Sequence, residues 1–381
     1  MRNLLKQQIC FSIGCLLAFV ISVPAVEGVE VGDLTRTVNA IGPKGVGHAK
    51  AKLAMAELAK VDPLEVVSIL KGFDSSNKLA VNWLRAVVDS RLEAALQDGD
   101  GIPLDELRGF LSDTGNDVYA RRVAYEWITE ANPELKEEIL KGSLNDPSLE
   151  IRREAIDSAL ARALAIKNEA GDESLQQLNK TLSSARDLDQ IDLITEEIES
   201  LGGEVDLPTH FGFLLTWNLI GPFDNSGTKG FDVAYAPESM VDLQKVVEGK
   251  VGNIKWFEHS SNDRYGLLDL NTIMPEKYKG AIAYAHTTFE SDKKQSVDLR
   301  LGCINGNKIW VNGKLVGSNH VYHANTSIDQ YISRATLEKG KNEILVKIAQ
   351  NEQEESWAQR WQFQLRICDQ FGTAILSADR K

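Results

Sequence analysis

The sequence has few cysteines and none of the common catalytic motifs. It contains four cysteines in 381 residues, and two of these lie in the first apolar run. It contains no G-x-S-x-G, P-loop or H-E-x-x-H motif. Residues 42–47, GPKGVG, follow no strand and lack the Lys-Ser/Thr ending of a phosphate loop. Carboxylates are abundant, but in an acidic helical segment they do not identify a catalytic pair. We therefore expect no catalysis by this chain alone.

The sequence also lacks a basic face. Its net charge is −13, and residues 1–204 contain 22 lysines and arginines against 34 aspartates and glutamates. Residues 205–381 are almost balanced, with 20 against 21. Nucleic-acid partners require a concentration of positive charge, so the composition argues against one. The shift in charge near residue 204 also predicts a domain boundary there.

Only one long apolar run is present, and it lies at the N-terminus. Basic residues precede Ile9–Val23, a run of about fifteen residues that is too short to span a bilayer comfortably. Val23–Ala25 then offers a cleavage site. We expect residues 1–28 to be a signal peptide, the protein to be periplasmic or extracellular, and no membrane span to remain after cleavage. An uncleaved anchor is one alternative, and lipidation is another, because Ser12–Cys15 is similar to a lipoprotein cleavage box.

Residues 29–204 show the pattern of a helical repeat. Helix-ending segments at Asp74, Asp113 and Asp146 are each followed by a longer amphipathic segment, and their spacings of 39 and 33 residues are typical of helix-pair solenoids. The predicted helices are His48–Ala59, Leu79–Leu96, Val118–Ile128 and Ile151–Leu164, and a further helical stretch runs from Leu175 to Leu201. Gly202-Gly203 ends that stretch, as glycine does at helix C-termini.

Two phrases in this region, NDVYARRVAYEWI and DPSLEIRREAIDSAL, resemble HEAT-type repeats. The resemblance implies an α-solenoid, in which stacked helix pairs supply the core. Trp83, Tyr125 and Trp127 lie at helical spacing among small apolar residues. They are interpreted either as core or as part of a concave binding surface.

Residues 205–381 show the alternation of β-strands. Val297, Leu299, Leu301 and Cys303 alternate with other residues. Asn312-Gly313 suits a type I′ hairpin turn, because both residues tolerate positive φ. The other predicted strands are Phe211–Ile220 (ended by Gly221-Pro222), Ile254–Glu258, Ala281–Phe289, Lys308–Val311, Lys314–Val316, Asp329–Ile332, Glu343–Gln350 and Gln362–Cys368. Such a series predicts an antiparallel two-sheet β-sandwich.

The segments IWVNGKLVG, IDQYISRATLEKGKNEILVKIAQ and WQFQLRICD resemble a galactose-binding-like jelly roll, of the sugar-binding type found with glycoside hydrolases. The resemblance covers residues 281–372, and this fold serves binding, docking and structural roles. The whole chain is then a multidomain α-then-β protein, with a HEAT-like domain at 29–204 and a jelly-roll domain at 205–381. This order is similar to that of secreted bacterial proteins of undefined function.

Two polar loops with aromatic residues flank predicted strand ends, and we expect them to meet at one rim of the sandwich. Aromatic faces bind the apolar side of a sugar ring, while amides and carboxylates bind its hydroxyls. The candidate ligand-binding residues are His320, Tyr322, His323, Asn325, Asp329 and Gln330 in one loop, and Gln350, Asn351, Glu352, Trp357 and Trp361 in the other. Alternatively, the two tryptophans seal the edge of the sandwich and the polar residues satisfy turns.

We expect no cofactor and no zinc site, because the spacing of His320 and His323 is not that of a zinc helix. The jelly-roll resemblance allows a structural calcium ion, with Asp224, Asp232 and Glu238 as candidate ligands.

Once a signal peptide is removed, only Cys303 and Cys368 remain. An exported compartment would allow them to pair. Cys303 shares a strand face with Val297, Leu299 and Leu301, whereas Cys368 lies opposite the apolar face of its own strand. The pattern therefore favours two free, half-buried thiols over a disulfide.

These features predict an exported, non-catalytic binding or scaffold protein. Its solenoid would bind protein partners, and its jelly roll would bind a carbohydrate or an envelope protein. One alternative is a polysaccharide-active hydrolase or lyase that carries the β half as an accessory module. The other is a purely structural protein of the cell envelope.

Overall fold

A computed structural model describes residues 30–322 and 327–380, and for Trp357 it describes the backbone alone. The predicted signal peptide therefore lies outside the described residues. Helices extend as far as Phe211, and antiparallel strands begin at Thr216. This confirms the predicted order of a helical half followed by a β half. Among the described helices, none is both long enough and apolar enough to cross a membrane.

The helical half consists of helices of 5 to 21 residues. They are α1 Val31–Asn39, α2 His48–Leu58, α3 Val66–Leu70, α4 Lys78–Asp98, α5 Leu104–Ser112, α6 Val118–Ala131, α7 Leu135–Lys141, α8 Leu149–Ala165, α9 Gly171–Ser184, α10 Leu188–Ser200 and α11 Leu207–Phe211. The four predicted long helices correspond to α2, α4, α6 and α8, with small differences at their ends.

The helical stretch predicted over Leu175–Leu201 is two helices, α9 and α10. The backbone leaves the helical conformation at Ala185, where ψ is 141°. Arg186 compensates for the lost helical bonds, because its guanidinium donates to the carbonyls of Ser183 at 3.0 Å and Ala185 at 2.7 Å. The Arg186 side chain thus stabilises the break between α9 and α10, and the spacing of apolar residues does not predict this break.

The chain forms two compact units, Met1–Ala131 and Asn132–Lys381. The second unit contains α7–α11 as well as all the described strands. Its helices share a core with the chain that leads into the first strand, where Phe211 and Phe213 pack with Ile156, Leu178 and Ile194. The boundary at residues 204/205 stays a prediction about independently folding domains.

The strands form two main sheets that pack around one core. They are β1 Thr216–Asp224, β2 Val247–Gly249, β3 Gly252–Ile254, β4 Phe257–Ser260, β5 Leu268–Asp269, β6 Ala281–Ser291, β7 Gln295–Cys303, β8 Gly306–Val311, β9 Lys314–Asn319, β10 Tyr331–Leu337, β11 Gly340–Ala349 and β12 Gln362–Cys368. Two short helices, α12 Ala236–Ser239 and α13 Leu270–Ile273, lie between them. The larger sheet has the order β4-β1-β6-β11-β8-β9, and the smaller has the order β10-β7-β12-β5.

The core lies between these two sheets, and neither sheet closes into a barrel. Trp217 and Val346 contribute to it from the larger sheet, and Leu299 and Leu365 from the smaller. The hairpin between β8 and β9 turns at Asn312 and Gly313, with φ values of 50° and 76°. The predicted turn with positive φ at both positions is therefore confirmed.

The first strand differs from its prediction at both ends. It begins at Thr216 rather than Phe211, because Asp206 caps helix α11 by accepting from the Thr209 amide at 3.0 Å. Gly221-Pro222, a cis peptide, does not end the strand, which continues to Asp224 with a bulge between Ile220 and Phe223.

The chain between β1 and β4 covers the outer face of the larger sheet. Phe231 and Trp256 from this segment pack against Tyr284 and Trp310 of the sheet. Residues 281–286 of β6 are consequently buried on both faces. This cover fixes the loop that follows β1 beside the ends of β6 and β11.

Both described cysteines are free, as predicted. Cys303 lies in the core between the sheets, whereas Cys368 lies outside that core and its thiol approaches the Asp298 carbonyl. Each has no exposed surface, so they are fully buried rather than half-buried.

Candidate functional site

A buried amide joins the two loops that the sequence singles out. Asn225 has no exposed surface. Its Nδ2 donates to the Gln350 carbonyl at 2.8 Å and to the Tyr322 hydroxyl at 3.1 Å. Its own backbone N–H donates to the Gly280 carbonyl at 2.8 Å. We call residues 224–231, 320–322 and 350–352 the rim cluster.

Aromatic rings form one side of the rim cluster. The exposed ring of His320 stacks on Phe231, with centroids 4.0 Å apart and planes 2° from parallel. Tyr322 meets His320 edge-on at 5.4 Å. Lys308 Nζ lies 4.5 Å from the centroid of the Phe231 ring. His320 thus rests on a buried, immobilised aromatic platform.

The opposite side of the rim cluster is polar. Glu352 is exposed and its Oε2 accepts from the Gly227 amide at 2.9 Å. The Gly280 amide donates to the Asn351 carbonyl at 3.1 Å. Asp224 accepts from the Ser226 hydroxyl at 2.6 Å and pairs with Lys250 at 3.1 Å. The Ser226 hydrogen bond and the Lys250 charge together lower the pKa of Asp224 below its usual value, despite partial desolvation.

A buried lysine holds the loop that carries Asn225 and Phe231. Lys347 on β11 has no exposed surface, and its Nζ donates to the carbonyls of Phe231 and Val233 and to Glu238 Oε1, each at 2.8 Å. The Tyr284 hydroxyl donates to the same Glu238 oxygen. Burial lowers the pKa of Lys347 from its usual value, and Glu238 opposes that shift. All three ammonium hydrogens are therefore used to fix the loop.

Three amide oxygens of the rim cluster are buried and have no donor among the described residues. They are Asn225 Oδ1, Gln350 Oε1 and Asn351 Oδ1. The orientation of the first two amides follows from their NH₂ groups, since Gln350 Nε2 donates to the Gln359 carbonyl at 2.8 Å and Asn225 Nδ2 has the partners given above. A buried acceptor without a donor costs about 1–3 kcal/mol. All three oxygens have almost no exposed surface, so they lie beneath any ligand at the rim cluster and do not contact it.

Three predicted site residues, Asp329, Gln330 and Trp361, do not belong to the rim cluster. Asp329 pairs with Arg300 at 3.0 Å and with Arg366. Burial alone would raise the pKa of Asp329, but these two arginines lower it below its usual value. Gln330 accepts from the Cys303 amide at 3.3 Å, so both side chains serve the smaller sheet.

Trp361 requires a correction. Its side chain has no exposed surface, lies in the core between the sheets, and donates through Nε1 to the Ile348 carbonyl at 3.3 Å. A ligand has no access to it in this fold, and the alternative interpretation, that it seals the sandwich, fits its position. His323, Asn325 and the side chain of Trp357 lie outside the described residues, so their roles stay predictions.

The candidate calcium ligands do not form a cation site. Asp224, Asp232 and Glu238 each pair with a different lysine: Lys250 at 3.1 Å, Lys308 at 3.3 Å and Lys347 at 2.8 Å. Within residues 30–322 and 327–380, no group of three or more His, Cys, Asp or Glu side chains is arranged to hold a metal ion.

Sequence reasoning missed Asn225 and Lys347 as parts of this site. Asn225 lies in a turn-forming run, Asp224-Asn225-Ser226-Gly227, which explains the residue without any further role. Lys347 was the better signal, because a lysine stands within the apolar strand EILVKIA. Phe231 anchors its loop on the sheet, and its side chain is only 2% exposed.

No protein-family model matches the sequence, and no curated protein matches it. An anti-sigma factor domain-containing protein from Clostridium clariflavum is 10% identical over 44% of this chain and 49% of its own, with a TM-score of 0.25. A beta-glucuronidase from an uncultured Clostridium sp. is 14% identical over 42% and 29%, with a TM-score of 0.25. A beta-glucosidase from Kluyveromyces marxianus is 9% identical over 81% and 38%, with a TM-score of 0.26. The chain spans less than half of each of these structures, and similarity at this level identifies neither a fold nor an activity.

Proposed function

We propose that the protein is an exported, non-catalytic binding protein whose rim cluster binds a carbohydrate. The observation that carries the proposal is the exposed ring of His320, stacked on buried Phe231 with centroids 4.0 Å apart, in a cluster whose opposite side carries the exposed carboxylate of Glu352. An exposed ring face packs against the apolar side of a sugar, and a carboxylate oxygen accepts hydrogen bonds from its hydroxyl groups.

The aromatic side of the rim cluster suits the apolar face of a sugar ring. His320 offers an exposed ring face, and Phe231 behind it keeps that ring in one orientation. Glu352 is exposed beside the amides and provides a further acceptor. A sugar would therefore stack its apolar side on His320 and direct its hydroxyl groups toward Glu352.

The contacts beneath the rim cluster favour recognition by a preformed surface. Asn225 is held by two side-chain hydrogen bonds, and Lys347 fixes the Phe231 segment by three. Side chains that are already ordered lose little entropy when a ligand binds. We assign the sandwich to the galactose-binding-like jelly-roll type on the segments that resemble it.

In the same proposal the helical half consists of HEAT-type repeats and binds a protein partner. Two buried arginines in the repeat-like phrases support it. Arg121 in α6 donates to the Leu111 carbonyl at 2.8 Å, and Arg152 in α8 donates to the Asp146 carbonyl at 2.8 Å. Arg121 ties α6 to the end of the preceding helix, and Arg152 ties α8 to the turn before it, which is the kind of contact that a repeated helix pair would share.

The test is a glycan-array and polysaccharide pull-down screen of the full chain, with and without calcium. We expect retention by at least one polysaccharide. Glu352→Ala and His320→Ala should weaken that retention, while Asn262→Ala, at an exposed position outside the rim cluster, should leave it unchanged.

The other outcomes identify the rival functions. A folded chain that no glycan retains would overturn the proposal, and co-purification with an envelope protein would then favour docking. Cleavage of a retained polysaccharide would favour a polysaccharide-active enzyme instead.

A further inference from the structure

A cavity of about 430 Å³ lies between α4 and α6, and none of its lining residues belongs to the rim cluster. Its walls carry Arg85, Asp89 and Glu93 from α4, and Glu126, Trp127 and Glu130 from α6. Residues four apart share one face of a helix, so a single face of each helix lines the cavity. Its volume lies in the range of small-molecule and side-chain pockets.

Hydrogen bonds across the two helices hold the walls in place. Asp89 accepts from the Trp127 indole N–H at 2.8 Å and from Arg85 Nε at 3.2 Å. Arg85 Nη2 then donates to Glu126 Oε2 at 2.7 Å. The indole ring therefore has a fixed orientation, and the one guanidinium among these residues is already matched by two carboxylates.

The remaining charge on the walls is negative. Glu93 and Glu130 lie one helical turn beyond Asp89 and Glu126, are exposed, and form no ion pair within the described part of the chain. Glu126 also pairs with Arg122 at 2.8 Å, so Glu93 and Glu130 are the carboxylates whose charge is left unmatched.

An apolar wall distinguishes this cavity from an ordinary solvated acidic face. Trp127 is half-buried at its side, and Leu96, another lining residue, is 39% exposed. An indole beside carboxylates suits a cation carried on an apolar stem, because the stem packs against the ring while the charge meets the carboxylates.

We propose that this cavity binds a lysine or arginine side chain from a basic segment of a partner protein. The inference rests on the proposed role of the helical half in protein binding, and it names the chemistry of the partner at one site. The complementary charge defines that chemistry, and the aromatic wall favours a long side chain over a free inorganic cation.

The experiment uses the full chain and a fluorescein-labelled octapeptide of alternating alanine and lysine, followed by fluorescence anisotropy. A peptide with glutamine at each lysine position serves as the neutral probe. We expect the lysine peptide alone to bind, and Glu93→Gln with Glu130→Gln to weaken binding about tenfold. Trp127→Leu should also weaken it, whereas Trp127→Phe should retain most of it, because a ring face remains.

A matched variant separates the site from general attraction to an acidic protein. Asp105→Asn with Glu106→Gln removes the same two charges at exposed positions of α5 that do not line the cavity. An equal loss of affinity in this variant, or equal binding of the neutral peptide, would overturn the proposal, as would no binding by the parent. Polysaccharide retention is measured on the same preparations, so failure here is distinguishable from failure at the rim cluster.

Discussion

Lys347 Nζ lies 2.8 Å from Glu238 Oε1, and the lysine side chain has no exposed surface. This pair joins strand β11 to the segment that crosses the outer face of the larger sheet. The same ammonium group holds the carbonyls of Phe231 and Val233. The aromatic platform of the rim cluster therefore depends on a residue that no ligand would touch.

Replacing Lys347 with methionine should destabilise the protein by about 3–5 kcal/mol, because the largely buried Glu238 loses its ion pair and the carbonyls of Phe231 and Val233 lose their donor. Urea unfolding measures the change. Lys341→Met, at an exposed position of the same strand, should alter stability by no more than about 0.5 kcal/mol. Adding Glu238→Gln to Lys347→Met should recover part of the loss, and a loss below about 1 kcal/mol in the single variant would contradict this account.

Gly230 should be intolerant of any side chain. A Cβ atom at this position would lie 2.0 Å from the Asp224 carbonyl oxygen, a backbone atom that cannot rotate away. Gly230→Ala should therefore cost about 1–3 kcal/mol and also weaken ligand binding, because it displaces the loop that carries Asn225. Thermal unfolding and the pull-down assay measure the two effects. Gly32→Ala is the control, since a Cβ there meets nothing within 4 Å, and equal stability of the two variants would refute the prediction.

The two buried thiols should be unreactive while the protein is folded. Burial raises the pKa of Cys303 to about 12 and that of Cys368 to about 11. Because the thiolate is the reactive form, iodoacetamide at pH 8 should label the Cys303 and Cys368 peptides slowly in buffer and rapidly in urea. Peptide mass spectrometry reports both rates. Rapid labelling of the folded protein, or a Cys303–Cys368 disulfide peptide, would be evidence against the structure.

Acid should lower the stability of the second unit, partly through the protonation of His210. Burial, together with the nearby positive charge of Arg186, lowers the pKa of His210 to about 4, against about 6.5 in an unfolded chain. Between these values the unfolded state binds the proton more readily, so this group's contribution to stability falls as the pH drops from about 6.5 toward 4. Its slope is at most about 1.4 kcal/mol per pH unit. The free energy of unfolding, measured with urea at several pH values, should fall less steeply with acid in His210→Gln than in the parent. Parallel pH curves for the two proteins would contradict the role of His210.

Periodicity predicted the elements whose burial is one-sided. The long helices α4, α6 and α8 were evident from their amphipathic spacing, and the hairpin between β8 and β9 was evident from Asn312-Gly313, because only that turn type requires positive φ at both positions. The start of β1 was not evident, because the cap on α11 depends on one hydrogen bond to Asp206 rather than on the apolar pattern.

The candidate site was only partly accessible to such reasoning. Loop composition indicated His320, Tyr322 and Gln350, which do lie in one cluster. The bridging role of Asn225 depends on contacts with residues about a hundred positions away, which no local pattern encodes. Trp361 was misassigned because it stands among polar neighbours, although its side chain lies in the core, just before β12 begins.

The most direct test of the account is hydrogen–deuterium exchange of the full chain, with and without the polysaccharide that best retains it. The account predicts slower exchange in residues 224–231, 320–322 and 350–352, and unchanged exchange in β7 and β10 of the smaller sheet. Protection confined to any other surface, or a folded chain that no polysaccharide retains, would contradict the assignment of the rim cluster as a carbohydrate site.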